Sequence, residues 1–395
     1  MSKKVFAVHA GRHPRRRCPM FVDLPLEEGE RPQAVRLTAE DGRELPAQVC
    51  APHPLSARPG APNSVRVTFV LPELAAEQSL RLTLAPGAKA PDSPAGVEVK
   101  DDGKANVSVT VGGQPLTIYR YLGNPMRPCF FPLLGPGGKR VTRSWPITEE
   151  IADDPRDHPH HRSLWVSHGD VNGVDNWGEG EASGYQLHRE LLAASGGPVL
   201  GVVDARNDWT DHEQRKMLEE RRVLTAYAVG EEERLFDFDV SLTATEGDVR
   251  LGDTKEGGII AFRVAGAIDG NHGGLIENSY GGLGEGECWG KRAQWCDYSG
   301  ELEGERLGLA IFDHPRSFRH PTFWHVRDYG MYTANPFGWH DFYADPSVDG
   351  SHLLPRGASL HFHYRVYLHR GEAGAAGVAD RYHDYANPPA IEILD

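Results

Sequence analysis

The chain has 395 residues, 39% of them hydrophobic, which is enough apolar material for a sizeable core and excludes whole-chain disorder. Its formal net charge of −14 repels phosphate backbones and anionic headgroups, which argues against nucleic-acid and membrane partners. No apolar stretch approaches the roughly 18–20 residues that span a bilayer. The start, MSKKVFAVHAGRHPRRRC, lacks the apolar region of a secretion signal, so a cytoplasmic location is expected. The basic run from Arg12 to Arg17, interrupted by His13 and Pro14, reads as a solvated loop. Cys18, Cys50, Cys129, Cys288 and Cys296 form neither a CxxC pair nor a disulfide framework and are expected to be inert thiols.

Glycine and proline punctuate the whole chain, helical periodicity is rare, and alternating apolar runs take its place. In chain order, Asp41-Gly42 is a hairpin turn between two short strands. Val65–Val70 and Leu80–Leu84 alternate with period two, and the Pro/Gly/Ala-rich stretch Ala85–Gly96 reads as a linker. Val107–Val111, Phe236–Val240 and Leu360–Leu368 alternate in the same way. Such strands bury one face and turn the other to solvent or a cleft. Helix is expected only around Asp211–Glu220, which leads into a strand at Arg221–Val229, and at Gly377–Tyr385. The expected fold is all-β: a small N-terminal β-sandwich over residues 1–90, then a larger antiparallel, supersandwich-like β-sandwich over 97–395 with few short helices.

Histidine marks the chemistry. Four of the 19 histidines fall in DHPHHRSLWVSHGD, from Asp157 to Asp170, which leads into Asn172-Gly173-Val174-Asp175-Asn176-Trp177. Four more lie between His314 and His340, again beside tryptophan. A third stretch joins Glu277-Asn278-Ser279-Tyr280-Gly281-Gly282 to CWGKRAQWCDY, where Trp289, Lys291, Arg292, Trp295 and Asp297 are expected to line a cleft together. Aromatic faces stack on the C–H faces of a sugar ring, while Asn, Asp, His and Arg satisfy its hydroxyls. A small-molecule carbohydrate is therefore the expected ligand.

The leading reading is acid/base chemistry on a sugar or oxidised sugar: elimination, hydrolysis or epimerisation. His161 and His168 are its expected acid and base. Arg162, Asn172, Trp177 and Lys291 hold the substrate, with His160, Trp165, Trp289, Trp295, Asp297, His325, Asn335 and His340 completing the site. A metal enzyme is the alternative, because His168-Gly169-Asp170 has the spacing of a 2-His-1-carboxylate site completed by a distant histidine such as His325 or His340. A third reading is a non-catalytic carbohydrate-binding protein. No GxGxxG or GxxxxGK[ST] is present, so no cofactor is expected beyond that possible divalent metal.

Taken together, the motifs resemble the PmoA family, whose members often carry the label "methane oxygenase PmoA". The resemblance rests on Tyr119-Arg120-Tyr121 with Pro132-Leu133, the block His158–Trp177, and WGKRAQWCDYSG from Trp289 to Gly300. Ile311–Pro315, HPTFWHVRDYGMYTANPFG from His320 to Gly338, and SLHFHYRVYLHRG from Ser359 to Gly371 extend it to roughly Leu116–Gly371. It implies a β-sandwich protein, in bacteria usually found with sugar catabolism. A looser likeness to galactose-mutarotase-like supersandwiches implies a histidine acid and a glutamate base on a concave sheet. Near Ala358, where that pattern favours glutamate, this chain has none. Glu277, Glu285 or Asp170 would then supply the carboxylate, with Glu277 the expected catalytic one.

Overall fold

The computed structural model describes residues 3–25, 34–51, 55–57, 60, 64–87, 96–123, 126–149, 151 and 154–394. The fold is all-β, and strand alternation decides its layers. In Leu164–His168, Leu164 and Val166 enter a central core while Trp165 takes the opposite face. Gly257–Arg263 and Met331–Asn335 repeat the split: Phe262 and Tyr332 face the core, Ala261 and Met331 the outer side. These strands belong to a nine-stranded sheet. Its partner is an eight-stranded sheet in which Tyr185–Ser195, Leu200–Thr210, Lys216–Tyr227, Arg234–Thr243 and Ser359–Arg370 pair in turn. Leu116, Phe130, Trp209, Phe238, Leu309 and Val366 fill the space between the sheets, all fully buried.

A five-stranded and a three-stranded sheet, holding the N-terminal strands, enclose a second core of Phe6, Val22, Leu37, Val67, Phe69 and Leu82. Val35–Ala39 pairs with Glu44–Leu45 across the expected Asp41-Gly42 turn, where Gly42 takes φ +84°. The last strand, Ala390–Ile393, returns to pair with Lys4–His9, so both ends of the chain share one sheet. Residues 88–95 of the expected linker lie outside the described residues.

The expected helix at Asp211–Glu220 is not formed. Asp211 accepts the N–H groups of Glu213 and Arg215 at 2.9 Å each, which closes a tight turn, and Lys216 onward pairs back on Leu200–Thr210. The C-terminal helix is real and runs Val378–Ala386. With Phe21 and Val70 of the N-terminal sheets it covers the outer face of the eight-stranded sheet, packing on Tyr227, Phe312 and Tyr367. The outer face of the nine-stranded sheet carries the loops that hold the histidine block.

Candidate functional site: a histidine–aromatic cluster held by two buried arginines

Two arginines shape the loop that precedes Leu164–His168. Arg143, wholly buried, donates to the carbonyls of Pro155, Asp157, His158 and His161 at 2.8–3.2 Å and to Asp157 Oδ1 at 2.7 Å. Arg263, at the end of its strand and equally buried, pairs with Asp157 Oδ1 at 2.6 Å and donates to His161 Nδ1 at 3.2 Å. Its guanidinium also sits 4.8 Å over the Tyr329 ring. Within this clamp His158 and Ser163 take left-handed φ values of 43° and 59°, a strain of order 1 kcal/mol or more each that the surrounding bonds hold in place.

The clamp brings rings together. His158 lies parallel to Tyr329 (4.9 Å, 4°) and to His161 (4.8 Å, 8°), and His161 is stacked on Trp165 (5.3 Å, 22°). His160 stands perpendicular to His161 at 4.5 Å, and Trp177 meets both histidines edge-on. Trp177 is placed by Asp175, which accepts its N–H at 2.7 Å, and by Arg127, which donates to its carbonyl at 2.8 Å. Trp165 and Trp177 are buried, whereas His158 is exposed and His160 and Tyr329 are half-buried.

The protonation states follow from the partners. Arginine only donates, so His161 Nδ1 accepts and the proton of the neutral ring lies on Nε2. Burial, then His160 and Arg263, push the His161 pKa well below its usual value, so the ring is neutral at neutral pH. Its Nε2–H has no hydrogen-bond partner among the described residues. Burial, then Arg127, lowers His160 to about 4, and neither of its ring nitrogens has a hydrogen-bond partner among the described residues. The cluster thus offers a fixed N–H donor beside a neutral imidazole with a free lone pair. Arg162 borders it but is held by Glu179 in a two-pronged ion pair of 2.9 and 2.5 Å.

The other expected residues go elsewhere. His168, fully buried against Phe337, bonds the Gly252 carbonyl through Nε2 at 3.0 Å, and its Nδ1 has no partner among the described residues. It anchors a loop in the buried interior, apart from the ring cluster around His161. His325 Nδ1 bonds the Lys255 carbonyl at 2.7 Å, Asn335 donates to Thr254 and Lys255, and His340 pairs with Asp253 at 2.7 Å. All four hold the segment 252–257. Trp289 packs beside them on Phe342 and under Arg327. Asn172, at φ 54°, accepts the Arg250 N–H in a turn, and Lys291 is exposed on a two-residue edge strand.

Two expected groupings do not form. Asp170 pairs with Arg250 at 3.1 Å instead of joining His168, and among the described residues no three His, Cys, Asp or Glu side chains converge to hold a metal ion. Glu277, Trp295 and Asp297 lie on the outer face of the eight-stranded sheet, the far layer of the sandwich from His161. Cys296 and Tyr298 enter the core, so their neighbours Trp295 and Asp297 must face outward. There Asp297 bonds His369 at 2.8 Å and Glu277 accepts the Ala373 N–H. The residues that hold the cluster and that the sequence left unassigned are Arg143, Arg263, Asp157, His158 and Tyr329. Asp157 and His158 open the quoted block, so their place in it was the available signal.

Acid should loosen this construction. Burial lowers His160 and His168 to about 4 and His325 to about 3, from the ordinary value near 6.5. A histidine whose folded pKa is lowered contributes fully above its unfolded pKa, and that contribution is lost as pH falls toward the folded value. Each should cost about 1.4 kcal/mol of stability per pH unit below about pH 6.5. Urea melts at successive pH values check this, and His168→Gln should flatten the slope. An unchanged slope in that variant would show that His168 is protonated as readily folded as unfolded.

The molecule is thus an antiparallel β-sandwich with an aromatic, histidine-rich cluster on one outer face. The chain belongs to the family described as "Family of unknown function (DUF6807)", which matches residues 106–383. That match gives no support to the PmoA family specifically. No curated protein matches the chain. Among solved structures it is similar to an alpha-mannosidase from Enterococcus faecalis V583, at TM-score 0.46 and 10% identity over 100% of this chain and 46% of that one. A glycosyl hydrolase family 38 protein from Enterococcus faecalis gives TM-score 0.45 and 10% identity over 100% and 47%. The galactose 1-epimerase from Lactobacillus acidophilus NCFM gives TM-score 0.31 and 9% identity over 69% and 97%. The chain spans just under half the length of the first two, and likenesses this distant say nothing of activity. Among the described residues, no helix is long and apolar enough to cross a membrane.

Proposed function

We propose that the chain binds a carbohydrate at the cluster of His158, His160, His161, Tyr329 and Trp177 and performs proton-transfer chemistry on it. The observation that carries this reading is the fixed tautomer of His161, whose Nε2–H, like the imidazole of His160 beside it, has no hydrogen-bond partner among the described residues. A sugar stacks a C–H face on the exposed His158 ring, which Tyr329 backs, as aromatic faces suit. His161 then donates to a ring or carbonyl oxygen, and His160 takes a proton from the adjacent carbon or hydroxyl. With neutral histidines in both roles, the chemistry is proton abstraction next to a polarised oxygen, as in epimerisation or elimination of an oxidised sugar.

The test is titration calorimetry against sugars, glycosides and their keto derivatives, followed by turnover assays on whatever binds. His158→Ala should weaken binding about tenfold, the loss of the stacking face. His160→Ala should leave binding nearly intact and abolish turnover. If His160→Ala turns over the ligand normally, the chemistry is wrong and a binding protein remains. If no carbohydrate class binds at millimolar concentration, the whole reading falls.

A further inference from the structure

The outer face of the eight-stranded sheet holds charge where the N-terminal sheets cover it. Strand register sets Asp237 opposite Arg365 and Asp239 opposite His363. The alternation of Phe236-Asp237-Phe238-Asp239 and His363-Tyr364-Arg365 puts all four polar side chains on this one face. Between it and the N-terminal sheets is a cavity of about 70 Å³, walled by Phe21, Tyr227 and Tyr385 with Leu200 and Val202. Sites between packed units are where small ligands commonly bind.

Most of the polar groups here satisfy each other. Asp237 is held by Arg365 at 2.6 and 3.0 Å and accepts the Tyr227 hydroxyl at 2.7 Å. Arg66 is held by Asp23 at 2.8 and 2.9 Å. Asp239 is different. It is 7% exposed, binds His363 Nδ1 through Oδ1 at 2.7 Å, and has no guanidinium partner and no donor to Oδ2 among the described residues. The Thr225 hydroxyl, on a residue 9% exposed and lining the same cavity, has no partner either. Aromatic walls here already take cations, with Arg365 over Tyr227 and Tyr385 and Arg66 over Phe21.

We propose that this cavity is a binding site for a small protonated amine, whose ammonium donates to Asp239 Oδ2 and Thr225 Oγ1 while its carbons lie along Leu200 and Val202. The proposal is independent of the carbohydrate reading, since it uses the opposite outer face of the sandwich. Burial pushes Asp239 up to about 6, which means that its charge lacks full compensation. The charged and titratable groups that face it are Asp237 on its own strand, His363 and Arg365 on the next, Tyr227, His314, Tyr385 of the C-terminal helix, and Cys50 and Arg66 of the N-terminal sheets. An ammonium supplies the missing positive charge. Because a proton competes for the same oxygen, amine binding strengthens as pH rises through about 6.

The experiment uses the full chain in calorimetry and thermal melts with methyl-, propyl- and butylammonium chloride, against 1-propanol and propanediol as neutral counterparts. At about pH 7.5, where Asp239 is ionised, propylammonium should raise the melting temperature saturably and the alcohols should not. Affinity should fall several-fold at about pH 5. Asp239→Asn should weaken it at least about tenfold, and the near-isosteric Thr225→Val by about threefold or more. If Asp239→Asn does not fold, Thr225→Val and the pH dependence still decide. Equal stabilisation by the alcohols, or an affinity unmoved by Thr225→Val and by pH, would overturn the proposal.

Discussion

Arg263→Met is expected to cost about 2–4 kcal/mol and to dismantle the candidate site, the largest effect anticipated there. Breaking a fully buried ion pair costs about 3–5 kcal/mol. The lower figure applies here because Asp157 is 41% exposed and keeps its bond to Arg143. Three contacts go at once: the pair with Asp157, the donor to His161 Nδ1, and the cation over Tyr329. With no guanidinium at Nδ1, the His161 tautomer is no longer dictated and one of the charges that hold its pKa down is gone. Urea melts give the stability change, and nitrogen chemical shifts of the His161 ring report the tautomer. Wild-type shifts in a folded variant would mean that stacking alone, not Arg263, orients the ring.

Between the nine- and eight-stranded sheets, Glu220→Ala should be the most destabilising single change, at about 3–5 kcal/mol. Glu220 is completely buried and accepts from Asn207 at 3.1 Å, from Trp209 Nε1 at 2.6 Å, and from Arg222, itself 1% exposed. Arg222 reaches across to the Pro128 carbonyl at 3.1 Å, and Tyr119 donates to Asn207 at 3.2 Å, so this network ties the two sheets together. Truncating Glu220 strands a guanidinium in an apolar core. The double variant Glu220→Leu/Arg222→Met should recover much of the loss, because it removes both charges together. If Glu220→Ala loses less than about 1 kcal/mol in a urea melt, the buried network is not what holds the sheets in register.

Much of the fold was legible because alternation is a local property. Phe236-Asp237-Phe238-Asp239 can only be a two-faced strand, and its partner around His363 and Arg365 reads the same way. Asp211–Glu220 misled because its charged run mimics helix spacing, while the Asp211 carboxylate prefers to cap a turn. The cluster was half legible: His160, His161, Trp165 and Trp177 are close in sequence and meet in space. Tyr329, in the turn before Met331–Asn335, and Arg263, at a strand end, join them from far along the chain, and local pattern carries no trace of that.

What the sequence determined by itself is the all-β class, the layered alternation and the concentration of histidine and tryptophan in particular blocks. Each of these follows from which residues neighbour one another along the strand. Only the tertiary structure decided which blocks meet. Register and the loops put His161 at a ring cluster, His168 in the core, and Glu277, Trp295 and Asp297 on the far sheet. The physical reason is the period of the strand: a shift of one residue sends a side chain to the opposite face, and pairing between distant strands selects the register.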